Sequence, residues 1–123
     1  MGLMDKLREL TGKGPRLAEI DVDAREVGID KLRVRTAETM VILETNNTGA
    51  ALIREIARSG EAVTLKSSES TVHFSPSKHK RLPVRDPKRG WVLALDKELS
   101  AALADVPDAG DYEISPALAV VVE

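Results

Sequence analysis

The chain has 123 residues, the size of a single domain, with 42% apolar and 31% charged residues and a net charge of −2, a balance that excludes a disordered chain. It contains no cysteine, which excludes disulfides, thiol catalysis and cysteine-held metal, and its aromatic residues, Phe74, Trp91 and Tyr112, are too few for a base-stacking surface. The longest apolar run, Met40 to Leu43, is far shorter than the roughly 20 residues of a membrane span, and the opening shows no secretory signal, so a cytoplasmic protein is expected.

Residues 1–14 read as an amphipathic N-terminal segment. Leu3, Leu7 and Leu10 recur at helical spacing beside Met4, and Gly12, Gly14 and Pro15 stop the helix. Three uses of this stripe stay open: packing, partner binding or oligomerisation, and attachment to a membrane surface. Residues 15–123 are expected to form one α+β domain, a small mixed or antiparallel sheet or barrel with two short helices. Leu17 to Val22 suggests a strand, and Val27-Gly28-Ile29-Asp30 a turn.

Leu32 and Val34 alternate with Arg33 and Arg35, the two-residue period of a strand with one wet face, and Met40 to Leu43 predicts a strand buried on both faces. A hairpin turning at Ala37 to Thr39 joins them. Thr48 to Ser59 is the best helix, with Asn47 or Thr48 as its cap, Leu52, Ile53, Ile56 and Ala57 as its buried stripe, and Gly60 as its terminator. Arg54, Glu55 and Arg58 should face water. Glu61 to Lys66 and Thr71 to Ser75 predict a second hairpin with Val63, Leu65, Val72 and Phe74 inward.

Pro76, Pro83 and Pro87 make residues 76–90 a loop, since each proline removes a backbone donor. Trp91 to Leu95 resumes as a strand, Asp96 caps a short helix through Leu103, and Tyr112 to Ile114 and Leu118 to Val122 are the remaining strands. The edge of this apolar Leu118 to Val122 strand is expected to be open to pairing with another copy. No internal repeat is visible.

Charge placement is the clearest functional signal. Lys78, Lys80, Arg81, Arg85, Lys88 and Arg89 stand against Asp86 alone, followed by an acidic final third that carries Asp96, Glu98, Asp105, Asp108, Asp111, Glu113 and Glu123. Cations grouped between prolines suit a phosphate-bearing partner, whether nucleic acid, phospholipid or phosphoprotein; the competing reading is a charge network closed on the acidic region. Catalytic signatures are missing: His73 and His79 lack metal-pair spacing, no phosphate-binding glycine frame or nucleophile elbow occurs, and Asp21 and Asp23 suit a solubilising edge. No cofactor, metal or enzymatic activity is expected.

Two resemblances add to this. The opening Met1-Gly2-Leu3-Met4-Asp5-Lys6-Leu7, with the acidic stretch Glu19 to Asp23, resembles the start of the SepF family of cell-division anchor proteins and implies a membrane-peripheral scaffold. Gly90 to Leu99, Ala102-Leu103, Gly110 to Ile114 and Leu118 to Val122 resemble the AbrB/MazE type of DNA-binding half, although Asp96 replaces the usual proline and residues 104–109 lengthen the turn. That resemblance implies two interlocked copies forming a barrel, with Arg85, Lys88 and Arg89 toward DNA. The leading expectation is a non-enzymatic module that self-associates and contacts an anionic partner through residues 78–89. The alternatives are a DNA-binding regulator and a membrane-peripheral scaffold.

Overall fold

The computed structural model describes residues 24–123, so the leucine stripe Leu3, Met4, Leu7 and Leu10 and the strand expected at Leu17 to Val22 lie outside the described residues. Among the described residues, nine strands form two mixed sheets with two helices. The strands are β1 (Arg25–Gly28), β2 (Leu32–Ala37), β3 (Met40–Thr45), β4 (Val63–Lys66), β5 (Thr71–Pro76), β6 (Val84–Asp86), β7 (Gly90–Leu95), β8 (Gly110–Ser115) and β9 (Leu118–Val122). The helices are α1 (Asn47–Ser59) and α2 (Lys97–Leu103). One sheet runs β1-β4-β5-β7-β6 and the other β2-β3-β9-β8.

Alternation builds the sheets. Val63, Leu65, Val72 and Phe74 all point inward and are buried, as their period requires, and they meet Leu43, Leu118 and Val120 from the other sheet in one continuous core. α1 closes that core with Ile53, Ile56 and Ala57, each isoleucine contributing about 1.5–3 kcal/mol by leaving water. Asn46 caps α1, one residue earlier than expected, its side chain accepting from the Gly49 N–H at 3.0 Å. Gly49 is needed where α1 crosses the end of β3, because a Cβ there would stand 1.8 Å from Thr45 Oγ1.

Other expectations also change. Val27 and Gly28 are not a turn but the end of β1, which pairs in parallel with β4. Residues 76–90 contain a strand, β6, held antiparallel to β7 because its prolines fall outside Val84–Asp86. β9 has no open edge: it lies between β3 and β8, so its apolar residues are covered from both sides. Arg54 does not face water; its guanidinium donates to the Val106 carbonyl and to Asp108, both at 2.8 Å.

The structure also contains an internal repeat that the sequence conceals. Hairpin, helix and hairpin occur twice, as β2-β3-α1-β4-β5 and β6-β7-α2-β8-β9. Each sheet takes one hairpin from each half, joined through a parallel seam, β3 with β9 and β5 with β7. Asn46 and Asp96 cap the two helices alike, and the Glu123 N–H to Thr45 carbonyl bond is matched by Ser77 to Leu95. The halves differ in one register: Val34 lies opposite Leu43, whereas Val84 lies opposite Val92 and not opposite Leu93, the residue corresponding to Leu43. A one-residue slip turns alternate side chains to the other face. Val84 accordingly packs with Val92 and Ala94 in a separate small cluster, while Val34 joins the main core.

Candidate phosphate-binding cleft

Three turns and strand ends that are distant in sequence meet at one end of the molecule. Ser67 Oγ donates to the Leu32 carbonyl at 2.6 Å, and Ser70 Oγ accepts from the Val34 N–H at 3.1 Å, so the β4–β5 turn is fastened onto β2. The β6–β7 turn lies beside them. Together they form a cleft of about 590 Å³ lined mainly by polar groups, among them the hydroxyls of Ser67, Ser68, Ser70 and Thr71.

Charge in this cleft is one-sided: Arg35, Lys66, Arg85, Lys88 and Arg89 line it against Glu69 as the one carboxylate. Arg35 is partly balanced by Glu44, whose Oε2 lies 3.1 Å from its Nε. Arg85, Lys88 and Arg89 form no ion pair with any described residue. Cations grouped this closely repel one another, and anionic ligand oxygens relieve that repulsion.

The turn bearing Lys88 and Arg89 is held from both sides. Asp86 Oδ1 accepts from the Lys88 N–H at 2.9 Å and from the Arg89 N–H at 3.1 Å. The Lys88 hydrogen bond is the main cause that holds the Asp86 carboxyl below its ordinary range; desolvation opposes it, and the hydrogen bond and charge of Arg89 and the charge of His73 add to it. On the other side, His73 Nε2 lies 2.7 Å from the Arg89 carbonyl oxygen and Nδ1 2.7 Å from Thr64 Oγ1. A carbonyl only accepts, so Nε2 donates to it, and the other ring nitrogen shares a hydrogen bond with the buried Thr64 hydroxyl. His73 is thus a strand residue, half-buried, that pins Arg89 in place.

The six cations singled out in the sequence therefore separate. Arg85, Lys88 and Arg89 enter the polar cleft, while Lys80 and Arg81 line a second, apolar cleft beneath α2. Lys78 is exposed and lines neither. Lys80 is the one that the acidic region neutralises, its Nζ 2.7 Å from Glu98 Oε2. That hydrogen bond and charge raise Lys80 and lower Glu98, but both are at least three-quarters exposed, so the pair adds little stability.

A search of protein-family models and of curated protein sequences with this chain finds no match. The cleft thus rests on its own geometry, and two of its cations, Arg35 and Lys66, were not singled out in the sequence. Their signal was weaker: Arg35 lies on the wet face of β2 and Lys66 at the exposed end of β4, and only the tertiary pairing of the turns brings them to the 85–89 segment.

Among the described residues no helix is long and apolar enough to cross a membrane, and no group of three or more histidines and carboxylates is placed to hold a metal.

Proposed function

We propose that the chain is a non-enzymatic binding module whose polar cleft grips the phosphate backbone of duplex DNA. The observation that carries this is the convergence of Arg85, Lys88 and Arg89, without carboxylate partners among the described residues, on Arg35, Lys66 and the serine-rich turn. Backbone contact of this kind positions a protein on a duplex without reading bases, and the scarcity of aromatic residues disfavours an unstacked single strand. A second support is topological. The resemblance of residues 90–122 to an AbrB/MazE-type half implies two interlocked copies forming a barrel, and this chain carries two hairpin–helix–hairpin units in tandem, joined through both sheets. Among the described residues, self-association by strand pairing would use the outer strands β1, β6, β2 or β8, because β9 is enclosed.

The test is fluorescence anisotropy with a labelled duplex across a salt series. Four or five phosphate contacts predict log affinity falling with log salt at a slope of about −4, and Lys88→Ala should flatten that slope by about 1. No duplex binding at low salt, or a slope unchanged when Arg85, Lys88 and Arg89 are all replaced by alanine, overturns the reading. Light scattering without DNA separates assembly from binding, since assembly alone gives a mass that rises with protein concentration.

A further inference from the structure

The apolar cleft beneath α2 has a different origin and a different chemistry. The register of β6 has slipped by one residue relative to β2, and Leu82, just before it, stands where Leu32 stands in the first half of the repeat. Leu32 there is 1% exposed, a core residue; in the second half Leu82 is turned outward and stands 49% exposed. Arg81, beside it, lines the space that is left. What results is a cleft of about 520 Å³, within the range that holds small ligands, walled by Leu93, Leu99, Ala102, Ile114 and Leu118.

The charges lining this cleft are unevenly satisfied. Lys80 and Glu98 pair with each other, and Asp96 Oδ1 accepts from the Leu99 N–H at 2.7 Å as the cap of α2. Arg81 is left over: its Nε is buried without a hydrogen-bond partner, and it forms no ion pair with any described residue. A buried donor without a partner is costly, and a guanidinium is best satisfied by a carboxylate that accepts two parallel N–H bonds.

We propose that this cleft binds an aliphatic carboxylate, the carboxylate engaging the Arg81 guanidinium and the hydrocarbon lying against Leu93, Leu99, Ala102 and Ile114. A medium-length aliphatic chain suits an open cleft with this lining. Nε is covered as the side chain stands, so binding turns the guanidinium about its stem. This site is separate from the polar cleft and does not depend on DNA binding.

The experiment is calorimetric titration of the full chain with sodium octanoate and with 1-octanol, its uncharged counterpart. Octanoate should bind more tightly than octanol, and Arg81→Met, which keeps the aliphatic stem, should weaken octanoate by at least about tenfold while leaving octanol unchanged. Ala102→Phe should fill the cleft and abolish both; Leu99→Phe serves if that variant does not fold, with amide NMR spectra reporting the fold. Equal affinity for the two probes, unweakened octanoate binding by Arg81→Met, binding that persists in a folded cleft-filling variant, or no octanoate binding at all overturns the proposal.

Discussion

Gly90 lies so close to Thr71 that a Cβ built on it would stand 2.4 Å from the Thr71 carbonyl oxygen, and its φ of 99° is one that side-chain-bearing residues seldom adopt. Both constraints act where β7 leaves the basic turn and enters the parallel seam with β5. Gly90→Ala should therefore destabilise the protein by about 2–4 kcal/mol in urea denaturation. Gly28→Ala, in open space at the end of β1, should change stability by less than about 1 kcal/mol.

Removing His73 should act on both stability and binding. His73→Ala leaves the buried Thr64 hydroxyl without its partner and the Arg89 carbonyl without its donor, a loss of about 1–3 kcal/mol. Duplex affinity should fall while the salt slope stays as in the parent, because no phosphate-binding cation is deleted. A flattened slope would mean that His73 itself touches phosphate.

Asp86 sets an acid limit on the basic turn. Its folded-state carboxyl titrates below the ordinary 3.8, so its stabilisation is fully present above that value and disappears as pH falls through the lowered one. The amide resonances of Lys88 and Arg89 should keep their positions down to about pH 4 and move only in stronger acid. In Asp86→Ala they should already be displaced at neutral pH, with weaker duplex binding.

Arg54 fastens α1 to the segment after α2 through two hydrogen bonds from one guanidinium. Lysine keeps the charge but cannot reproduce the planar fork, so Arg54→Lys should cost about 1–2 kcal/mol in thermal or urea unfolding. Asp108→Ala should cost less than 1 kcal/mol, since its carboxylate is largely exposed.

Local chemistry was legible over most elements, although the cap of α1 falls on Asn46 and not on Asn47 or Thr48. The alternation of Val63, Leu65, Val72 and Phe74, the Asp96 cap, and Ile53, Ile56 and Ala57 of the expected stripe follow from short-range periodicity and are found as expected, while Leu52 is only half-buried. Long-range pairing was not legible. β1 ends in Gly28, which mimics a turn, and it is a strand because β4 pairs with it in parallel. Leu118 to Val122 is apolar enough for a central strand, yet nothing local shows that β3 and β8 enclose it. The repeat is hidden because α1 spans 13 residues and α2 only 7, and because β6 has slipped. Charge clustering found Arg85, Lys88 and Arg89; Arg35 and Lys66 join them through folding alone.

The position of β9 bears on how the protein is made. During synthesis the β2–β3 hairpin emerges early, but its inner neighbour is Leu118–Val122, so the hairpin must wait on the ribosome with one apolar side uncovered. Leu118, Val120 and Val122 supply the core from that strand, which means nascent chains stalled before them should be protease-sensitive and prone to clump. Cooperative closure is thereby postponed until nearly every residue described here has left the exit tunnel.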